Sequence, residues 1–323
     1  MNSKVDWTGL GRLTDDPAAV GRHLDRVLGL PVVDVAAIRR RRFMVALDCV
    51  RGAGGTIMPP LLEALGCTVA AMDVETDGRF PRPPEPVPAN LAGLGDLVRR
   101  SDADLGLAVD PDVDRLAIVD ERGAAIGEDY TLAFAVETVL RRRAGPVVVN
   151  LSTSLVVDDA ARPFGAAVAR APVGEAHVAR AMRAVGAVVG GEGNGGVMLP
   201  ALHLGRDAPV AAALVLDLLA SGTASVSARV AARPRYAIVK AKAPRGPDLA
   251  RAYHALERRL GGAAVDRQDG LRLAWPDRWL HVRPSGTEPI VRLIAEAPEA
   301  GAAEELIAAG RAALDRTAGE GVG

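Results

Sequence analysis

The sequence predicts an α/β protein: two consecutive mixed, mostly parallel α/β/α domains followed by a smaller α+β C-terminal domain. Three observations carry this. Short β-branched runs alternate with helical patterns up to about residue 233, and such alternation builds parallel layered sheets. From Pro234 the alternation gives way to several short strands flanked by two helices. The chain has 323 residues and is 49% apolar, more than one average core accommodates.

Taken in order, "FMVALDCV" reads as a strand, "TIMPPLLEALG" as a helix stopped by Gly66, and "TVAAMDV" as a second strand. "NLAGLGDLVRRS" is the next helix and "DLGLAVD" the third strand. "RLAIVDERG" has the pattern of a hairpin arm turning at Glu121 to Gly123, and the helix "DYTLAFAVETVLRRR" closes the first domain near Arg143. The second set repeats this plan: strand "PVVVN", helix "SLVVDDAARPFG", strand "AAVARA", helix "GEAHVARAMRAVG", strand "AVVGG", a glycine-rich loop and helix "DAPVAAALVLDLLASG". The third opens with strand "RYAIVKAKA" and helix "PDLARAYHALERRLG" and ends in helix "AAEELIAAGRAALDRT". The expected divisions are an N-terminal segment 1–21 and domains 22–143, 144–233 and 234–323.

Charge excludes some partners. The formal net charge is −1 with acids and bases interspersed, which predicts neither a nucleic-acid footprint nor a membrane-binding surface. The start lacks the apolar core of a signal peptide, and the run "APVAAALVLDLLA" is too short for a bilayer and broken by Asp217. A cytoplasmic protein is expected. Cys49 and Cys67 lack metal-site spacing and read as buried thiols. Lys4, Lys240 and Lys242 are the only lysines, the rest of the 39 cationic residues being arginine, a skew that suggests a GC-rich genome more than a function.

Three loops carry chemistry. "DPDVDR" places Asp110, Asp112 and Asp114 at alternate positions after a strand, at the edge of a parallel sheet where α/β folds bind ligands. Three converging carboxylates need a cation to offset their repulsion, and Mg²⁺ takes oxygen ligands; Arg115 adds a donor beside it. A calcium EF-hand fits Asp110, Asp112, Asp114 and Glu121 by position, but Arg115 stands where that loop needs glycine. A solvated Asx turn is the plainer alternative. "RPSGTEP" follows a strand; Arg283, Ser285, Gly286 and Thr287, with Arg292 on the next strand, form a phosphate cradle of backbone N–H groups, hydroxyls and guanidinium forks, as against a hairpin loop with exposed charge. "VVGGEGNGGVMLP" surrounds Glu192 and Asn194 with glycines, a pairing suited to sugar hydroxyls, although "NG" is equally a hairpin turn. "DCVRGAGGTI" imitates a dinucleotide-binding turn with Gly52 and Gly54, but Ile57 occupies the third glycine position, which leaves a nicotinamide oxidoreductase as a minor alternative.

Together the three loops resemble those of the α-D-phosphohexomutase family, the phosphoglucomutases, phosphomannomutases and phosphoglucosamine mutases, over about residues 22–318. Asp110, Asp112, Asp114 and Arg115 match the family's DxDxDR metal loop, Gly191 and Glu192 its sugar loop, and Arg283 to Pro289 its phosphate loop. The resemblance implies interconversion of hexose 1- and 6-phosphates, with Mg²⁺ as the metal, a hexose bisphosphate as intermediate and activator, and a phosphoserine as donor. It further implies that Glu192 and Asn194 orient hydroxyls and that the cradle grips the non-transferring phosphate. His177, with Gly174 at a strand-to-helix junction, either meets substrate or is a satisfied surface histidine. His203, Arg206 and Asp207 either line the sugar-loop wall or, for Asp207, cap a helix. The sequence departs from the pattern in several ways. No Ser-His-Asn-Pro stretch occurs, so the nucleophile domain is expected to be missing, through a truncated gene model or separate encoding, and residues 1–21 are expected to be the remnant of that preceding domain. Ser152 and Ser154 read as helix caps. Pro111 and Val113 stand in a loop that often carries glycine, Asn194 replaces a usual serine and Gly196 a common histidine. The chain alone is expected to be inactive, which leaves a stand-alone sugar-phosphate binding or regulatory module as the alternative.

Overall fold

A computed structural model describes residues 14–246 and 248–319, so most of the N-terminal segment 1–21 lies outside the described residues. Helices α1 (Ala19–Leu28) and α2 (Val35–Arg41) lead into the first sheet; the Asp34 side chain caps α2 by accepting from Ala37 N–H at 2.8 Å. That sheet contains β1 (Met44–Asp48), β2 (Thr68–Met72), β3 (Leu105–Val109) and β4 (Leu116–Val119) in the order β2-β1-β3-β4. β1 pairs parallel with β2 and β3, and β4 turns back antiparallel on β3. All five residues of β3 are buried, as expected for the inner strand of a covered sheet. Its crossovers are α3 (Gly54–Ala64) and α4 (Ala92–Ser101). Pro59 and Pro60 sit inside α3, and the helix continues through them.

The second sheet repeats this plan. β5 (Val147–Asn150), β6 (Val168–Ala171), β7 (Val189–Glu192), β8 (Gly196–Leu199) and β9 (His203–Arg206) lie in the order β6-β5-β7-β8-β9, parallel up to β7 and antiparallel after it. Helices α5 (Asp129–Leu140), α6 (Leu155–Ala161), α7 (Glu175–Val185), α8 (Ala208–Ala220) and α9 (Val226–Ala231) accompany it. The apolar run in α8 is long because the helix is buried all round, against α1, α2 and α5 as well as its own sheet. Asp217 within it is held by Arg142, at 2.5 Å, and by Asp34 N–H, at 2.8 Å. Among the described residues no helix is long and apolar enough to cross a membrane. The first two sheets share one apolar core. Helix α5 packs on α6 and α8, so the core shows no break at the expected division near residue 143.

The last unit is an antiparallel sheet of β10 (Ala237–Pro244), β11 (Ala264–Asp266), β12 (Leu271–Ala274), β13 (Trp279–Pro284) and β14 (Ile290–Ala297), ordered β10-β14-β13-β12-β11. Helices α10 (Leu249–Arg259) and α11 (Ala300–Gly319) pack together and complete a separate core. Glu296 joins this unit to the second: its buried carboxylate accepts from Ser154 Oγ, from Leu155 N–H at 2.8 Å and from Trp279 Nε1 at 2.6 Å. Cys49 and Cys67 are free thiols, one buried and one half-buried.

Candidate functional site

The aspartate loop joins β3 to β4. Asp110 is fully buried; its Oδ1 accepts from the N–H groups of Asp114 and Arg115, both at 3.1 Å, and its Oδ2 from Arg115 Nε at 2.5 Å. Arg115 thus braces the loop from within. Asp112 is exposed and Asp114 half-buried, and ligand oxygens of the three aspartates lie within 4.8 Å of one another. Burial and the adjacent Asp110 carboxylate push the Asp114 carboxyl up to about 6, while Asp110, despite its burial, is held below the usual carboxylate range by Arg115. Asp114 Oδ1 is buried without a hydrogen-bond partner. An all-oxygen donor set with one orphaned carboxylate oxygen fits a hard divalent cation.

A strained residue and a close backbone approach shape this loop. Val113 holds a left-handed backbone, φ 64°, an unusual conformation for a β-branched residue. A Cβ on Gly52 would lie 2.6 Å from Pro111 Cα, and Ala53 N–H donates to Pro111 O at 2.8 Å. The glycine-rich turn that imitates a dinucleotide cradle therefore supports the aspartate loop.

The sugar-loop candidate joins β7 to β8. Glu192 is buried; its Oε1 accepts from Asn150 Nδ2 and Gly174 N–H, both at 2.9 Å, and its Oε2 from Arg206 Nη1 at 2.7 Å. Gly174 has φ 121°, which brings its N–H onto that carboxylate at the start of α7. Arg206 also donates to Asp114 Oδ2, and Leu116 N–H donates to Gly195 O at 3.1 Å. The aspartate and sugar loops are thereby joined by backbone and by side chain.

The third loop turns β13 into β14. Arg283 Nε donates to Asp269 Oδ2 at 2.7 Å, and Arg292 pairs with Glu288 at 3.2 Å. Ser285 Oγ is turned onto its own loop, accepting from Thr287 N–H at 3.4 Å and Glu288 N–H at 3.3 Å, and Gly286 faces open space. Arg283 and Arg292 line one cavity of about 250 Å³ with Glu192, Asn194 and Gly174. Ser285, Gly286 and Thr287 lie outside that lining, as do the three aspartates, which are tied to it through Arg206. His177 is exposed, 2.9 Å from Arg180, and does not line the cavity.

Asp129, Ser152 and Lys240 line the cavity too, none with a motif of its own. Asp129 alone has a legible signal, an acid in the first turn of a helix. Burial pushes its carboxyl up to about 7, with Glu296 and Glu128 adding to the effect against an N–H bond from Ser154. Of the two serines expected to cap α6, Ser154 does so, accepting from Val156 N–H at 3.1 Å, while the hydroxyl of Ser152 points to His281. Asp207 caps α8 and accepts from His23 and His203, each at 2.9 Å; burial opposes these bonds, yet they hold its carboxyl down near 2. Gly205 N–H donates to His203 Nδ1 at 3.0 Å, which leaves the ring hydrogen on Nε2, toward Asp207, and makes the trio a hydrogen-bonded cluster.

Family models for phosphoglucomutase/phosphomannomutase match in succession: α/β/α domain II over residues 22–123, α/β/α domain III over 127–236, and the C-terminal domain over 236–313. The second match begins ahead of α5, in keeping with the packing of that helix. The phosphoglucomutase/phosphomannomutase of Thermococcus kodakarensis is 38% identical over 313 residues, 95% of this chain and 68% of that protein. A crystal structure of a phosphoglucomutase/phosphomannomutase family protein from Burkholderia thailandensis aligns with a TM-score of 0.79 at 26% identity, covering 92% of this chain and 64% of that one. The N-acetylphosphoglucosamine mutase of Aspergillus fumigatus, solved with GlcNAc-6P and magnesium, shares the fold at a TM-score of 0.60 and 17% identity, over 91% of this chain and 68% of that one. The chain spans about two thirds of the length of each of these proteins. With matches of this extent taking in the aspartate, sugar and phosphate loops in turn, the chain belongs to the phosphoglucomutase/phosphomannomutase family.

Proposed function

We propose that this chain supplies the metal-, sugar- and phosphate-binding domains of a phosphohexomutase, an enzyme that interconverts the 1- and 6-phosphates of a hexose (glucosamine, glucose or mannose) through a hexose bisphosphate. The observation that carries the reading is the single cavity in which two arginines of the last domain face the sugar loop of the preceding one. Arg283 and Arg292 would take the non-transferring phosphate, with Ser285, Gly286 and Thr287 shaping the bend that presents them. Glu192 keeps the sugar loop in register through Gly174, Asn150 and Arg206, and Asn194 offers an amide to sugar hydroxyls. Asp110, Asp112 and Asp114 would hold Mg²⁺, which when bound neutralises charge on a phosphoryl group. The donor phosphoserine would come from outside these three domains, for instance from a separately encoded one.

Calorimetric titration with glucosamine 6-phosphate tests this. Arg283→Ala and Arg292→Ala should each weaken binding about 10- to 100-fold, as expected for a lost charge-assisted hydrogen bond. Wild-type affinity in both variants would refute the assignment. A stand-alone binding module gives the same titration but no turnover when a phosphoserine domain is added.

A further inference from the structure

Ser152 stands between β5 and α6, and its hydroxyl is not used by the helix. Its Oγ lies 2.8 Å from His281 Nδ1, and His281 Nε2 lies 2.7 Å from the backbone carbonyl oxygen of Asp269. A carbonyl can only accept, so Nε2 carries the ring hydrogen and Nδ1 is a bare lone pair. The proton shared by Ser152 and His281 is therefore the serine's own. His281 is fully buried, and that burial pushes its pKa down to about 4, so the ring is neutral and able to accept a proton in neutral solution. A nucleophile, a base and an acceptor that orients the base form the arrangement that activates serine hydroxyls, here with a main-chain carbonyl in the orienting role.

The surroundings supply what an attacked phosphoryl group needs. Ser152 lines the same cavity as Arg283, Arg292 and Lys240, so a bisphosphate whose non-transferring phosphate rests on the two arginines can turn its other phosphate to Ser152, with Lys240 as a further cation in the cavity. Asp269 contributes twice: its carbonyl orients His281, and its carboxylate, accepting from Arg283 Nε and from Val173 N–H at 3.1 Å, fixes Arg283. Ser152 itself is half-buried, open enough for a ligand to reach the oxygen.

We infer that Ser152, with His281 as its base, is a nucleophile that accepts a phosphoryl group from an anion held by Arg283 and Arg292. In this step a bond forms between Ser152 Oγ and phosphorus while the bond from phosphorus to the donor oxygen breaks. The serine proton passes to His281 Nδ1 and on to solvent, and the leaving sugar oxygen takes a proton from solvent. Identifying the donor as a sugar phosphate rests on the reading given under Proposed function, whereas the serine and histidine pair does not.

The test uses two probes on the full chain, each followed by peptide mass mapping. Glucose 1,6-bisphosphate should add one phosphoryl group to Ser152, and a fluorophosphonate should form its adduct at the same residue. Ser152→Ala should abolish both, and His281→Gln, checked for its fold by circular dichroism, should slow labelling by about 10²- to 10⁴-fold, the contribution of a general base. If His281→Gln does not fold, the mapped site in the wild type decides alone. Absence of both adducts from Ser152, or labelling that persists in a folded His281→Gln, overturns the proposal. A fluorophosphonate adduct without the phosphoryl group upholds the nucleophile and instead counts against the sugar phosphate as donor.

Discussion

The turns β3–β4 and β7–β8 occupy equivalent places in two sheets of the same plan, each where the last parallel strand meets an antiparallel one. Their buried carboxylates are held in opposite ways. Asp110 is braced from within, taking its hydrogen bonds from Asp114 and Arg115 of the same loop, while Ala53 and Arg206 hold other parts of that loop. The sugar loop is held from outside, since Glu192 takes its bonds from Asn150, Gly174 and Arg206 on three other segments. The backbones differ in parallel, with Val113 at φ 64° in the first turn and Gly195 at φ 90° in the second. A loop that must gather ligand oxygens around one point can be braced internally. A loop that must bring neighbouring segments together depends on those segments and on glycine.

Arg206 is where the two designs meet, and its removal is the strongest test of the difference. Arg206→Ala deprives the buried Glu192 of its cationic partner and Asp114 of its link, and breaking a buried ion pair from one side should cost about 4 kcal/mol. Chemical denaturation measures the loss. A cost as small as that of a surface pair would show that the sugar loop does not depend on this tie.

The sugar-loop side also has a titratable joint to the last domain, at His281. Its folded pKa is lowered to about 4, chiefly by burial, with Arg283 and Arg272 opposing the charge as well and Asp269 favouring it. Between about 6.5 and 4 the unfolded imidazole binds a proton that the folded one does not, so stability is present above that window and is lost as pH falls through it. The loss amounts to about 3 kcal/mol. A difference curve of stability against pH for wild type and His281→Gln isolates it from the carboxylates that titrate alongside, and a flat difference would show that the ring is not desolvated.

How far the sequence revealed this depends on whether an interaction is local. The β-α-β order, the aspartate trio and the arginine-flanked bend were all legible, because β-branched runs and residues spaced by two or by four report on their own segment. The sequence of helix α5 groups it with the strands before it, since nothing in it says which sheet the helix covers; its packing on α6 and α8 and the match that begins at residue 127 group it with the strands after it. Ser285 stands in a phosphate-loop motif, and its hydroxyl oxygen accepts from two N–H groups of its own turn, a bond pattern the motif does not announce. Ser152 and His281 are 129 positions apart and meet only because β13 docks beside the start of α6, a contact no spacing rule can find.

Gly195 makes the backbone half of the comparison testable. A Cβ there would overlap the carbonyl oxygen of Leu116, the residue whose N–H donates to Gly195 O, and the left-handed φ adds its own penalty. Gly195→Ala should destabilise by about 2 kcal/mol and loosen the contact between the two loops. Thermal unfolding checks the size, and no change would mean that glycine is not required at this turn.

Val113 gives the converse and the smallest effect. The left-handed conformation costs a side chain about 1–2 kcal/mol, and glycine would relieve that strain while giving back roughly 0.5–1 kcal/mol in unfolded-state freedom. Val113→Gly should therefore stabilise the chain by at most about 1.5 kcal/mol. The hydrogen bonds that brace Asp110 come from Asp114 and Arg115, so the substitution should leave the heat of Mg²⁺ binding unchanged. If stability fell instead, the methyl groups of Val113, which pack against the shared core, would outweigh the strain of its backbone. The aspartate loop would then depend on its neighbours as the sugar loop does.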